Sequence, residues 1–412
     1  MVEPLRRDAQ TWACYVLILV LALLQAGLGG LLPYLQAEFG LSHTVMSLHL
    51  TALATGGLIV GLFTEPARRR FGRPVLLVSA GVLAIVGGIL FAAGRTPLVT
   101  VPACTVIGVS VGMALVVSQS LLVAKFGGAA SRLIGEFNLA YALGAVVAMF
   151  GLPFLVASVL GWRGLPVLQT MLLALFVLPW VWRTRDQAPP ETAAAAGASD
   201  NGWRLRRPWM AFVVMSLCVA VEWSFLFWLA TYLVDAAGHT PESAAMVTAV
   251  MWGAVVVGRI AGTVLLPRFG ATRVLTGSLL LALVATATLL YAEHLGIALL
   301  AAVLCGAASA NLFPAAITFV VSGYGPRADA AVARVMLYNT STTIGFPLLL
   351  GWGADTLGLR TAFWIVPVVA LLALATIRAA GSYRVGADAP PNSLSGSRPV
   401  GRPLPIHEEV EN

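Results

Sequence analysis

Glu222 is the residue in this chain best placed to do chemistry. It stands as the single charge midway along the run MAFVVMSLCVAVEWSFLFWLATYLV. If that run crosses a bilayer, an ionised carboxylate at its centre costs about 2.5 kcal/mol or more. Such a group is expected to be neutral when enclosed and ionised when water reaches it, which is how a proton carrier behaves. The plainer reading is a permanently protonated carboxyl bonded to a neighbouring helix. A helical projection puts Phe225 on its face, so Phe225 joins Glu222 as substrate-facing, while Trp223 and Trp228 read as packing or lipid-facing residues.

Two more charges interrupt apolar runs. Arg259 is expected about 10 Å inside its helix, either as a gate or anion-binding group or as a side chain that snorkels to the interface. Glu136 lies a few residues into another run and is either a gate partner or a hydrated helix end. Gln25, His49, Asn138, Tyr141, Asn311, Tyr338 and Asn339 complete the substrate-binding candidates. In lipid each needs a partner, and a solute or a neighbouring helix can supply it. His49 alone makes neither a proton relay nor a metal site. Cys14, Cys104, Cys218 and Cys305 lack C-x-x-C spacing and are expected to be free. The sequence has no G-x-x-x-x-G-K-[ST] phosphate loop, no G-x-S-x-G elbow and no carboxylate-rich metal motif. ATP-driven work by this chain alone and enzymatic catalysis are therefore set aside, and no cofactor is expected.

The elements that must position these residues follow from composition. With 59% hydrophobic and 10% charged residues and a mean hydropathy of +0.88, the chain belongs in a membrane. Lipid offers backbone amides no partner, and apolar runs of about 20 residues fit helices rather than barrel strands. Spans are expected at 11–33, 44–64, 75–94, 98–122, 133–157, 164–182, 209–233, 244–266, 274–292, 295–321, 333–353 and 361–381. The first is too long for a signal peptide and is read as an uncleaved helix. The fold class is thus an all-α integral membrane protein of twelve transmembrane helices in two six-helix bundles, 1–182 and 209–381. The polar stretch 183–208, with Pro189, Pro190 and Ala193 to Ala196, reads as a flexible cytoplasmic linker, and 382–412 as a disordered tail.

With an even helix count, all of the 25 lysines and arginines except Arg95, Arg163, Arg259 and Arg360 fall on the side that carries both termini. The positive-inside rule makes that side cytoplasmic. The net charge of +7 then reflects topology, and no nucleic-acid partner is implied. Lys125 is the single lysine, and with the alanine-rich runs this arginine bias suggests a high-GC bacterial genome and hence a bacterial cytoplasmic membrane.

The halves repeat one another at one interval, to within a residue. Arg70-Phe71-Gly72 returns as Arg268-Phe269-Gly270, Gly108 and Gly127 as Gly306 and Gly325, and Gly161-Trp162-Arg163 as Gly358-Leu359-Arg360. A parallel duplication of six helices is a secondary-transporter architecture whose site lies between the halves near the midplane.

On these residues the sequence resembles the major facilitator superfamily over nearly its whole length. The family's loop signature, broadly G-x-x-x-D-R-x-G-R-R, is matched by Arg70, Gly72 and Arg73, whereas Glu65 and Arg69 occupy its glycine and aspartate positions. In the second copy Thr263 and Pro267 replace those two, with Arg268 and Gly270 kept. The resemblance implies a gating role for this loop, so Glu65, Arg69, Arg70, Gly72, Arg73 and Arg268 join Glu136 and Arg259 as gating candidates. Glu65 and Arg69, four residues apart, are expected to pair if the helix continues that far. The stretches VEWSFLFWLATYLVDAAG and ANLFPAAITFVVSG are similar to the fucose-permease-like group of sugar and proton symporters, although helix four lacks that group's acid and helix one offers Gln25 instead. The expected function is secondary active transport of a small organic solute by alternating access, coupled to protons, by a monomer in the bilayer. An exporter of hydrophobic drugs or secondary metabolites is the alternative, and a receptor that binds without translocating is a third reading.

Overall fold

The computed structural model describes residues 6–185, 203–205, 207, 209–324 and 328–384. Its helices are α1 (Ala9–Phe39), α2 and α3 (43–71 and 73–93, inside the continuous His43–Ala93), α4 (Pro97–Phe126), α5 (Ala130–Val156) and α6 (Gly161–Thr184). After the linker come α7 (Met210–Asp235), α8 (Pro241–Phe269), α9 (Ala271–Leu289), α10 (Leu295–Ser309 and Leu312–Tyr324), α11 (Ala328–Leu357) and α12 (Leu359–Ala380). Ten helices among the described residues are long and apolar enough to cross a membrane, and the 51-residue one holds two spans parted at Gly72. With α11 the helices are twelve, in two bundles of six. Most outrun the apolar runs that announce them, because a helix projects into the headgroup region where charged residues are welcome.

Three local features depart from the sequence expectation. Helix α1 does not end near Pro33 but breaks at Ala26–Gly27, just after Gln25, and resumes to Phe39. A π-helical segment, Leu173–Val177, interrupts α6 immediately before Pro179, which has no amide hydrogen to continue the ladder. The end of the linker and the start of the tail are ordered against each other: strand β1 (Trp203–Leu205) pairs antiparallel with β2 (Ser382–Arg384), and the Arg207 amide bonds the Ala380 carbonyl at 3.1 Å. Residues 186–202 and 385–412, with 206, 208 and Gly325, lie outside the described residues.

The duplication is visible in three dimensions. Gly72 and Gly270 turn the chain with matching positive φ, 77° and 79°, and Arg70 and Arg268 each lie over the following phenylalanine at 5.5 and 5.4 Å. Arg163 donates to the Ala92 carbonyl at the end of α3, and Arg360 to the Leu290 carbonyl at the end of α9. Gly108 lets α4 approach α2 so closely that a Cβ there would sit 2.1 Å from the Leu53 oxygen, and Gly306 repeats this against the Met251 oxygen at 2.2 Å. Backbone cannot yield as a flexible side chain can. Gly108→Ala and Gly306→Ala are each expected to cost about 1–3 kcal/mol, read as lowered thermal midpoints in detergent.

The N-terminal helix is tied down by charge. Asp8 caps α1 by accepting the Thr11 amide at 2.9 Å and binds Lys125 at the end of α4. Burial alone would raise this carboxyl, but Lys125 and Thr11 outweigh it and hold it below the usual carboxylate range. A depressed value in the folded state contributes stability above the unfolded value, near pH 4, and that stability is lost as the pH falls through the folded value. Asp8→Ala is therefore expected to cost about 1 kcal/mol at neutral pH, with the difference from wild type shrinking below about pH 4. Large exposed side chains such as Phe63, Phe176, Val257 and Leu371 ring the outside, where lipid receives them.

Candidate functional site

Glu222 sits at the midpoint of the 26-residue α7 and is 6% exposed. Arg259 lies deeper than the sequence suggested, because α8 runs on to Phe269 and places it about 15 Å from the end of the helix rather than 10 Å. Asn138 and Tyr141, counted from the start of α5, and Glu222, counted from the start of α7, all come within the same layer, about 12–18 Å from the terminus-bearing face. This common depth brings the two halves' polar groups together.

The contacts cross the seam between the halves. Arg259 Nη1 donates to the Asn138 carbonyl at 3.2 Å, while its buried Nε has no hydrogen-bond partner among the described residues. The Tyr141 ring meets Trp252 of α8 edge-on at 6.3 Å, and the buried Trp252 Nε1 is also without a partner among the described residues. Glu222 is within electrostatic range of both Arg259 and Tyr141, yet no ion pair joins it to Arg259 among the described residues. Two donors without acceptors thus accompany one carboxylate, with aromatic faces beside them. Phe225 is fully buried one turn further along α7.

Other candidates lie elsewhere. His49 is enclosed in the first bundle, where Nε2 meets Thr100 Oγ1 at 2.9 Å and Nδ1 the Met46 carbonyl at 3.3 Å. Asn311 joins α10 to α8, donating to the Gly258 carbonyl at 2.9 Å while its side chain fills the space over Gly262. Both satisfy their polar groups within one half, as helix-to-helix contacts do. Gln25 Oε1 at the break of α1 and Asn339 Oδ1 on α11 are buried without partners among the described residues. Tyr338 is on α11, but its side chain lies outside the described residues. The four cysteines are free and buried.

Among the gating candidates, Glu65 does pair with Arg69, at 2.8 Å, and also with Arg68 through 2.7 and 2.8 Å bonds. Arg73 is 5% exposed, with Nε and Nη1 unpartnered. Glu136 does not face Arg259; Arg7 holds it at 2.6 and 2.8 Å, with Tyr15 and Arg132 behind. That binding secures α1 to α5 inside one half.

Sequence reasoning missed the strongest junction of the halves, on the face opposite the termini. Asp355 of α11 accepts the amides of His43 and Thr44 at 2.8 and 2.9 Å and the Thr44 hydroxyl at 2.6 Å, at the first turn of α2. His43 also meets Asp235 of α7. Gly29 lets α1 approach α7 so closely that a Cβ there would sit 3.0 Å from the Leu226 carbonyl oxygen, Gly351 admits the start of α2, and Thr51 donates to the Ile344 carbonyl at 2.9 Å. His43, Thr44, Asp235 and Asp355 sit near helix ends, where charge is unremarkable, and no local pattern joins positions 192 and 312 residues apart. A groove of about 840 Å³ between α8, α9 and α10, lined by Val257, Leu265, Phe269 and Arg273, contains none of Glu222, Tyr141 or Trp252 and is separate from this seam.

The sequence description of the Major Facilitator Superfamily matches residues 14–333 and 246–405. The chain belongs to this superfamily. An uncharacterized MFS-type transporter of Yersinia pestis is 26% identical over 371 residues, 87% of this chain and 94% of its own. Solved structures with the same fold include a point mutant of the nucleoside transporter NupG, with a TM-score of 0.75, 13% identity and coverage of 90% of this chain and 99% of that one. A D-xylose-proton symporter follows at TM-score 0.67 and 17% identity, with coverage of 90% and 96%. A bacterial homologue of the human lysosomal transporter Spinster, inward-facing and occupied, has TM-score 0.67 and 15% identity over the same shares. The chain is therefore a multi-pass secondary transporter and not an enzyme. The narrower fucose-permease-like resemblance is not confirmed by these comparisons.

Proposed function

We propose that this transporter moves a small polar organic solute together with protons, with Glu222 as the coupling carboxyl, both termini in the cytoplasm and the halves rocking about the seam. The observation that carries this reading is the buried Glu222 within electrostatic range of Arg259, whose Nε lacks an acceptor among the described residues. When Glu222 is ionised, its charge competes for the guanidinium. Protonation removes that competitor and leaves Arg259 and Trp252 Nε1 free to donate to a solute carbonyl, hydroxyl or carboxylate oxygen. Proton and solute then favour each other's binding, which is the thermodynamic requirement for symport. The Tyr141 and Trp252 faces suit a ring-bearing solute, and the nucleoside and xylose transporters of like fold make nucleosides and sugars the first to try. The Glu65, Arg68, Arg69, Arg70, Gly72, Arg73 and Arg268 loops are the cytoplasmic hinges and gates of this cycle.

The experiment is purified protein in liposomes with a trapped pH dye, challenged with nucleosides, sugars, organic acids and lipophilic cations. Acidification of the lumen on adding one polar class outside supports the reading. Proton movement in the opposite sense with lipophilic cations would instead support the exporter, which the aromatic surroundings of Glu222 favour. Binding without flux of either would leave a receptor.

A further inference from the structure

Both ring nitrogens of His43 meet carboxylates of the other half. Nε2 is 2.9 Å from Asp235 Oδ2 at the end of α7, and Nδ1 is 3.0 Å from Asp355 Oδ1 on α11. An ionised carboxylate only accepts, and a neutral imidazole has one N–H to give. Both contacts together therefore require the imidazolium. Loss of its proton would set a ring lone pair against a carboxylate oxygen at one of these distances, turning attraction into repulsion. Asp355 keeps three other donors on the first turn of α2, two amides and the Thr44 hydroxyl. Asp235 meets the first half through His43, so it is the contact that the ring's charge decides.

Several other groups near this face have partners of their own, among them His239, whose Nε2 meets the Ala292 carbonyl at 2.7 Å. Glu38 of α1 is held by Arg163 and Trp162, Arg360 of α12 by Glu293 and the Leu290 carbonyl, and Glu242 at the start of α8 lies within electrostatic range of Tyr34. The side chains of His43, Asp235 and Asp355 keep 17%, 24% and 26% exposure, so protons reach them from the aqueous phase on that face.

We infer that His43 is a second proton-binding site of the transport cycle, whose protonation locks the two halves together on the face opposite the termini. Its place in coupling rests on the symport reading above; the lock itself does not. A proton taken from that side closes that side, which is the order of events that inward proton-driven movement needs.

The test uses spin labels on the Val159→Cys and Tyr291→Cys variant, two positions exposed on loops of that face in opposite halves. The native cysteines are buried and offer little background. Distances are measured in nanodiscs by double electron-electron resonance between about pH 5 and 9, the range in which histidine titrates. For wild type the closed-to-open ratio is expected to fall about tenfold or more with rising pH. His43→Gln should flatten this dependence, and His43→Arg, which keeps donors and charge, should stay closed throughout. A flat wild-type profile, or an inflection that survives His43→Gln, overturns the inference. Glu222→Gln must retain the inflection, since its loss there would assign the titration to Glu222. Solute-driven proton flux is read separately in liposomes, so failure of symport and failure of the lock are distinguishable.

Discussion

Glu222→Gln is expected to abolish concentrative transport while leaving solute exchange intact. A pH difference of one unit supplies about 1.4 kcal/mol per proton, enough for about tenfold accumulation at one proton per solute. The amide cannot release a proton, so accumulation should fall from about tenfold to about one. Glutamine also imitates the protonated carboxyl that leaves Arg259 available, so solute affinity should be kept or raised rather than lost. Liposomes separate the two effects: uptake driven by an imposed pH gradient on one hand, and counterflow of labelled against unlabelled solute on the other. Loss of counterflow as well as uptake would mean that Glu222 binds the solute directly or supports the fold.

Asp355→Ala is expected to open the face opposite the termini. It removes the acceptor of four hydrogen-bond contacts to His43 and Thr44, and the helix-start charge they surround. The substitution leaves the folded bundles alone, because these contacts run between halves and not within them. Bonds to an ionised acceptor contribute about 2 kcal/mol, so the ratio of closed to open molecules should fall about thirtyfold. The same labelled pair on residues 159 and 291 reads this as a longer distance at every pH. Thr44→Val, which removes the hydroxyl donor alone, should give a smaller shift in the same direction.

Much of this was legible because membranes simplify the problem. Twelve apolar runs became twelve helices, since lipid permits the backbone few alternatives. The repeated glycines had a physical reason, a backbone approach at Gly108 that recurs at Gly306, so their spacing carried the duplication faithfully. Glu222 stood out because a carboxylate within an apolar run is costly. The Glu65–Arg69 pair followed from helical spacing. What escaped reading depends on contacts between distant segments. His49 and Asn311 looked like Gln25 and Asn339 in the sequence, yet the first two are satisfied inside one bundle and the latter two keep buried unpartnered oxygens. Arg259 was placed about 10 Å deep rather than about 15 Å because the end of α8 was set at the end of its apolar run, three residues early. Glu136 was read as a gate partner or a hydrated helix end, but Arg7, brought beside it by the fold, binds it through two hydrogen bonds within one half. The latch of His43 with Asp235 and Asp355 was invisible for the same reason.

Accessibility of position 222 tests the account most directly. The Glu222→Cys variant, against buried native cysteines, is exposed to a membrane-impermeant thiol reagent from each side of oriented vesicles, with and without Asp355→Ala. The account predicts labelling from the terminus-bearing side with the latch intact, and a shift toward labelling from the opposite side when Asp355→Ala breaks it. A cysteine that stays inert from both sides, or that reacts from one side alone whatever the latch does, would contradict alternating access at Glu222.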